Sequence, residues 1–442
     1  MKNIAVIGSG ISGLSAAWLL SQKHNVTIFE KDDRLGGHSN TCSVDGHFID
    51  TGFIVYNIAS YPNFIAFLEH LKVSTQDTDM SFSVSKDDGR LEYSGESPSK
   101  MFVQKRNLFK PRYWQMVRDI LRFYKEAPNA LRSPDTSELT LGEYLAKTDY
   151  GAEFIEDHLI PMGAAIWSTP ASEMMDYPLR AFVRFCENHG LLQLKDRPQW
   201  RTITGGSLSY VRKVEQAFSG RILFNAAVRS VVRGQDGISV ECRDGRVERF
   251  DEVVFATHAD QALRLLAHPT NLQSQLLGKF RYSKNLAVLH TDSSFMPKRK
   301  RAWASWNYLA DGTTGHQQKA LSLTYWMNRL HRLDASKDYF VTLNPASPPA
   351  EGSVVRSFPY EHPLFDRDAI AAQQDLWKLQ GQENMWFCGS YFGYGFHEDG
   401  IQSGLAVAEL LGDLKRPWEF DFKRSRICLP DNTVKLRYSN VA

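Results

Sequence analysis

The chain opens on a short run of β-branched and apolar residues, Lys2 to Ile7 (KNIAVI), which predicts a buried parallel strand. Gly8-Ser9-Gly10-Ile11-Ser12-Gly13 follows. A helix-prone stretch then runs from Leu14 to Leu20, with Ala16 and Ala17 small enough to lie close on a sheet. A second apolar run, Asn25 to Phe29 (NVTIF), predicts a second strand and stops at Glu30. Further along, Val253 to Thr257 and Met385 to Gly389 predict buried strands. Leu208, Val211, Val214 and Phe218 recur at helical spacing behind Thr204-Gly205-Gly206-Ser207. Ile401 to Leu411 predicts a helix carrying the small residues Ser403, Gly404, Ala406 and Ala408. Tyr113 to Lys125 predicts a helix with Trp114, Val117, Ile120, Leu121 and Tyr124 on one apolar face. After about residue 416 the periodicity is weak, which predicts a tail packed over the surface. No run reaches the roughly 18 apolar residues of a membrane span.

The first thirty residues carry a chemistry as well as a fold. Gly8 allows a tight turn, Gly10 lets backbone approach a pyrophosphate, and Gly13 lets helix and strand pack closely. The free N–H groups at Ile11, Ser12 and Gly13, with the helix dipole, favour an anion. Glu30, with Lys31 beside it, ends the second strand, where an acid accepts hydrogen bonds from the hydroxyls of an adenosine ribose. A lone glycine fingerprint is weak; this one sits between strand and helix and is followed by the acid at the expected distance. Four residues past Glu30 stands Arg34-Leu35-Gly36-Gly37-His38, a second glycine loop that a nicotinamide-binding unit does not need.

That second loop resembles the FAD-binding flavoenzymes of the glutathione-reductase and amine-oxidase type. The resemblance implies an α/β fold, with a glutathione-reductase-type FAD-binding Rossmann domain and an inserted α+β substrate domain. It assigns about 1–75, 195–268 and 380–415 to the discontinuous FAD domain, about 76–194 and 269–379 to the substrate domain, and 416–442 to a C-terminal tail. It further implies that Gly52, in Ile49-Asp50-Thr51-Gly52, brings the chain under the flavin. Val228 meets the adenine, Ala256 lies near the dinucleotide, and Gly389 and Ser390 precede a helix whose start, Gly400 and Ile401, points at the flavin. His38 replaces an arginine found in many relatives, and Ser390 replaces an acid. GYGFHEDG (393–400) and the HSNT after the second loop narrow the resemblance. They are similar to a bacterial subgroup of FAD/NAD-binding proteins commonly encoded beside cyclopropane-fatty-acid-synthase-like methyltransferases.

Charge and composition then restrict the partners. Lys and Arg total 52 against 50 acids, which excludes a globally basic nucleic-acid binder. Five scattered cysteines without a C-x-x-C pair give no zinc ribbon or redox motif and point to a reducing, cytoplasmic setting. The apolar start is not followed as a signal peptide would be, because the glycine pattern comes next. Residues 100–125 hold eight cations against Asp119 alone. A basic amphipathic helix with a tryptophan suits an anionic membrane surface, here the inner membrane face; it equally suits a helix packed on the substrate domain with a solvated basic side. Lys298-Arg299-Lys300-Arg301 offers a second cluster.

The function expected from these features is FAD-dependent oxidation or desaturation of fatty acyl chains in membrane lipid, methyl-branched chains included. The alternatives are oxidation of a soluble amine, or a non-catalytic flavoprotein partner of a lipid methyltransferase. With one dinucleotide fingerprint, electrons are expected to leave for oxygen, a quinone or another protein. His397, Tyr394 and Glu398 are the candidate base and orienting groups, because the resemblance sets their loop beside the flavin and histidine titrates near neutrality. Trp167, Trp303, Trp306 and Tyr325 are candidate pocket lining. No metal motif is present.

Overall fold

The computed structural model describes residues 1–136, 138–167, 171–310 and 322–430. The opening strand Asn3–Ile7 lies at the centre of a five-stranded parallel sheet. Asn25–Phe29 and then Arg221–Leu223 flank it on one side. Glu252–Phe255 and then Met385–Phe387 flank it on the other. The strand order reverses direction between Asn3–Ile7 and Glu252–Phe255. In an open α/β sheet that switch point is where a crevice for ligands forms beyond the carboxyl ends of the strands. The strands are almost wholly buried, which is why they read as continuous apolar runs. A three-stranded antiparallel meander, Val228–Cys242 with Val247–Phe250, packs beside this sheet.

The second layer is a seven-stranded mixed sheet. Its order is Val354–Leu364, Arg281–His290, Phe340–Leu343, Ser322–Trp326, Trp306–Ala310, Phe82–Lys86, Leu91–Ser94. Helices Pro111–Ala130, Leu141–Lys147, Ile160–Trp167 and Leu179–Asn188 accompany it. A small sheet of Tyr56–Asn57, Trp200–Ile203 and Thr75–Thr78 joins the two layers. Among the described residues no helix is long and apolar enough to cross a membrane.

Two expectations need correction. The basic helix runs Pro111–Ala130, and its buried face is Tyr113, Met116, Asp119, Ile120, Phe123 and Ala127. The stripe through 113, 116, 120, 123 and 127 carries the larger rings into the core. Trp114 and Leu121, expected on one apolar face with Ile120, are exposed while Ile120 is buried. The last helix begins at His397 rather than Ile401, so His397, Glu398 and Asp399 form its first turn, and Asp399 accepts the Phe396 N–H at 2.8 Å. Of the expected lining, Trp303 packs in a small core with Met296 and Phe340. Trp306 meets Tyr325 edge-to-face at 5.0 Å. The side chain of Trp167 and all of Ser168 lie outside the described residues.

Candidate cofactor site

The glycine turn is built around contacts that allow no side chain. Gly8 has φ +99°, and a Cβ there would lie 2.7 Å from the Ala256 carbonyl oxygen. A Cβ at Gly13 would strike the Gly8 carbonyl, and one at Gly52 would strike the His38 carbonyl. Gly10 differs: a Cβ would meet nothing within 4 Å, so the space in front of the helix Ile11–Leu20 is open. That helix has no side-chain cap and no acid in its first turn, leaving its start to an anionic ligand.

The second glycine loop folds onto the first. The Gly36 N–H donates to the Ser9 carbonyl at 3.0 Å, and the Arg34 guanidinium donates to the Gly37 carbonyl at 2.8 Å. Arg34 therefore holds the loop, while Lys31 is exposed at its rim. Glu30 is buried. Its Oε2 accepts the Ser9 N–H at 3.0 Å and the Ser9 hydroxyl, and its Oε1 accepts the Asp32 N–H at 2.9 Å. Oε1 keeps room for another donor, since each carboxylate oxygen takes about two. The Ala226 N–H donates to the Glu30 carbonyl at 2.8 Å, which brings the segment entering Val228 alongside the acid.

The helix His397–Gly412 crosses Ile11–Leu20 at close range. A Cβ on Gly400 would lie 2.8 Å from Ile11, and one on Gly404 would strike Ser12 and Ser15. Ile401 is fully buried in this seam. The two helix starts thus converge on one place. Gly389 is tied to the same helix, its N–H donating to the Ser403 hydroxyl at 3.0 Å. Ser390 follows, its carbonyl accepting the N–H groups of Gly393 and Gly395, each at 3.1 Å.

The three candidate reactive residues are differently employed. His397 stacks on Phe53 (ring centroids 3.6 Å apart), and its Nε2 meets the hydroxyls of Tyr210 at 2.9 Å and Ser39 at 3.0 Å. Burial, then His38, hold its pKa well below the ordinary histidine value, so the ring is neutral. Glu398 is fully buried. It accepts the N–H groups of Asn63 (3.0 Å) and Phe64 (2.9 Å) and the side-chain amides of Asn63 and Gln402 (2.9 Å each), fixing the start of the Pro62–His70 helix. Tyr394 is half-buried, with the Arg426 guanidinium 5.3 Å from its ring centre.

A second group of side chains gathers around His38. Its ring stacks on Tyr360 (4.9 Å) and lies 5.5 Å from His362 and 6.4 Å from His258. Asn285 donates to His362 Nδ1 at 3.0 Å. The Tyr360 hydroxyl meets Asn40 and Thr51 at 2.9 Å each. Burial lowers the pKa of His38 to about 4, of His258 to about 4 and of His362 to about 3, so three neutral rings face one another. His258, His362, Asn285 and Tyr210 carry no motif of their own. The short segment Tyr360-Glu361-His362-Pro363 is the signal in the sequence that could find His362. Among the described residues no group of three His, Cys, Asp or Glu is placed to hold a metal ion.

These features fit FAD on three counts. There is open space before Gly10, spare acceptor capacity at Glu30 Oε1, and a buried Nε2 on His38 with no partner among the described residues. Comparison with known proteins agrees. Residues 11–358 match the profile of the flavin-containing amine oxidoreductases. A Mycobacterium tuberculosis protein provisionally named flavin-containing monoamine oxidase AofH is 26% identical over 251 residues, 56% of this chain and 55% of that protein. The match thus spans about half the length of that relative. A diapophytoene desaturase of Staphylococcus aureus is 52% identical over 50 residues, 11% of this chain and 10% of its own. The crystal structure of a CLA-producing fatty acid isomerase from P. acnes shares the fold. Its TM-score is 0.66 at 15% identity, with 93% of this chain and 98% of that chain covered.

Proposed function

The chain belongs to the flavin-containing amine oxidoreductase family, with FAD as its cofactor, and from that premise we propose that it oxidises or desaturates fatty acyl chains of membrane lipids, methyl-branched chains included. A glutathione-reductase-type dinucleotide unit and work at a membrane surface belong to the same reading. When bound, the flavin supplies the acceptor for a hydride from a C–H bond. Gly8, Gly10, Gly13, Gly36, Gly37, Arg34 and Glu30 hold it. Gly52, Val228, Ala256, Gly389, Ser390, Gly400 and Ile401 line the crevice around it.

The observation that carries the substrate class is the character of the group around His38. Tyr360 and Asn285 are uncharged near neutral pH by their chemistry, and burial keeps His362 and His258 uncharged beside them. A site of neutral aromatic groups suits an apolar chain better than an ammonium ion, which needs a negative or fully aromatic enclosure. The proton released beside the hydride passes to a base or to solvent. His397 is the positioning residue in this reading. It joins the second glycine loop (through Ser39) to Tyr210 and Phe53 and keeps the helix start in place.

One observation favours the amine reading. The Glu361 carboxylate lies 3.4 Å from His258 Nδ1 at the edge of the same group and is partly exposed. Anaerobic titration of the flavin absorbance separates the two. Bleaching by detergent-dispersed phospholipid, but not by putrescine, is expected. Bleaching by the amine alone overturns the acyl reading. Bleaching by neither supports the third reading, a non-catalytic partner of a lipid methyltransferase, and likewise overturns it.

A further inference from the structure

We propose that the tip formed by Lys105–Phe109 and the first turns of the Pro111–Ala130 helix is a docking hook for an anionic lipid bilayer. The inference deepens the acyl-lipid reading, and rests on it for the identity of the lipid to be delivered. The tip is a short 3-10 turn, and five of the six residues from Lys105 to Lys110 face solvent, Asn107 being the buried one. Phe109 is 87% exposed and Leu108 44%, at the apex of the turn. Trp114, also 44% exposed, braces the turn by donating its indole N–H to the Leu108 carbonyl at 2.9 Å. Leu121 continues the same exposed side of the helix. An isolated exposed leucine means nothing, but an exposed aromatic apex held up by a tryptophan is a shape with no use in water.

The charges around this apex are mostly positive. Lys105, Arg106, Lys110, Arg118 and Lys125 form no ion pair among the described residues, whereas Arg112 pairs with Glu153 and Arg122 with the buried Asp119 and with Glu126. The fold then adds the second cluster. The Gly89 carbonyl accepts from Gln104 at 2.9 Å and from Arg299 at 3.1 Å, so the turn Asp87–Arg90 sits between the two clusters. Arg106 donates to the Arg90 carbonyl on the same turn. Lys300 and Arg301, far away in sequence, therefore join the same edge of the molecule. Asp87, Asp88 and Glu92 are already committed to Arg90, Lys298 and Arg299. What remains unpaired is positive. Apolar side chains among unpaired cations match the headgroup boundary of an anionic bilayer, where the cations meet the headgroups and the rings sit at the acyl boundary.

The test uses the full-length yellow protein and two sets of vesicles, phosphatidylcholine alone and phosphatidylcholine mixed with phosphatidylglycerol. Sedimentation with the mixed vesicles only, and release by high salt, is expected. Lys105→Glu combined with Lys110→Glu is expected to weaken partition by at least about tenfold. Phe109→Ser is expected to do so by about tenfold, with melting temperature and flavin content unchanged because the ring is outside the core. Tryptophan fluorescence should shift to the blue on binding through Trp114. Binding to neither vesicle, equal binding to both, or unaltered binding by both variants overturns the proposal. So would a salt-sensitive dimer that uses the same residues. Docking is read without turnover. Lipid that binds but fails to bleach the flavin defeats the acyl reading and spares the hook, and bleaching by detergent-dispersed lipid without vesicle binding does the reverse.

Discussion

Arg416 and the side chain of Arg426, from the segment after the last helix, are buried, whereas Arg106, Arg112 and Arg118 of the basic face stand in water. Arg416 makes two parallel bonds to Glu409, each 2.7 Å, and a third to Asn63 at 2.7 Å. Asn63 passes the network to Glu398, Glu398 to Gln402, and the Gln402 side-chain Oε1 accepts the Arg426 backbone N–H at 2.9 Å. Arg426 closes it, with its Nε 2.9 Å from Asp399. One residue type thus serves as an internal strut set among carboxylates and amides, and as a surface charge turned to solvent. The difference is the number of partners that the fold brings within reach: an arginine with a carboxylate and carbonyls around it tolerates burial, and one without them stays outside.

The largest test of this divide is acid. His158, His189 and His290 are buried, and burial lowers their pKa to about 4, 3 and 4. The unfolded chain takes protons near pH 6.5 that the folded one refuses. Their contribution is therefore complete above that value and is lost as pH falls toward 4, at roughly 1 kcal/mol per pH unit for each ring. Glu398 and Asp399 act in the opposite sense, since burial raises both and the folded state protonates them first. His38, His258, His362 and His397 are held low in the same way, so the buried rings outnumber these two carboxyls and leave a net fall of several kcal/mol, readable as urea midpoints between pH 6.5 and 4. A flat profile would put water in those rings' surroundings.

Next in size, Arg426→Met leaves Asp399 buried and unpaired and should cost about 3–5 kcal/mol in denaturant unfolding, with part restored by adding Asp399→Asn. Glu398→Ala strips the acceptor from two backbone N–H groups and two amides. It should cost about 2–3 kcal/mol and loosen the flavin, seen as a lower absorbance ratio after gel filtration. If Glu398→Ala keeps its stability yet abolishes flavin reduction, the residue is reactive and not a strut. Smallest of all, Arg118→Glu should change stability by less than about 0.5 kcal/mol while weakening vesicle partition, separating the outer arginines from the inner pair.

Much of the cofactor cradle was legible in the sequence because its constraints are local. A glycine whose Cβ would strike the next carbonyl leaves a fixed letter at a fixed place, and Glu30 follows at the length of one helix and one strand. The employment of His397 and Glu398 was not legible. Their partners, Ser39, Tyr210, Asn63 and Phe64, come from distant stretches, and no spacing announces them. The buried stripe of Pro111–Ala130 lies about one residue from the expected one, because Tyr113 and Phe123 turn inward where Trp114 and Tyr124 are expected. The buried arginines were invisible for a different reason: charge in a weakly periodic tail reads as surface until its carboxylates are found.

The cradle also has a history within each molecule's synthesis. Asn3–Ile7 emerges from the ribosome well before Met385–Phe387, which completes its sheet, and the helix that presses on Ile11–Leu20 comes later still. At about 5–20 residues per second, the glycine turn waits on the order of tens of seconds for its lid. Through that interval the apolar flank of the first helix is uncovered. Vitamin supply and chaperone occupancy during translation should therefore govern the yield of yellow protein more than the rate of cofactor capture by the finished chain.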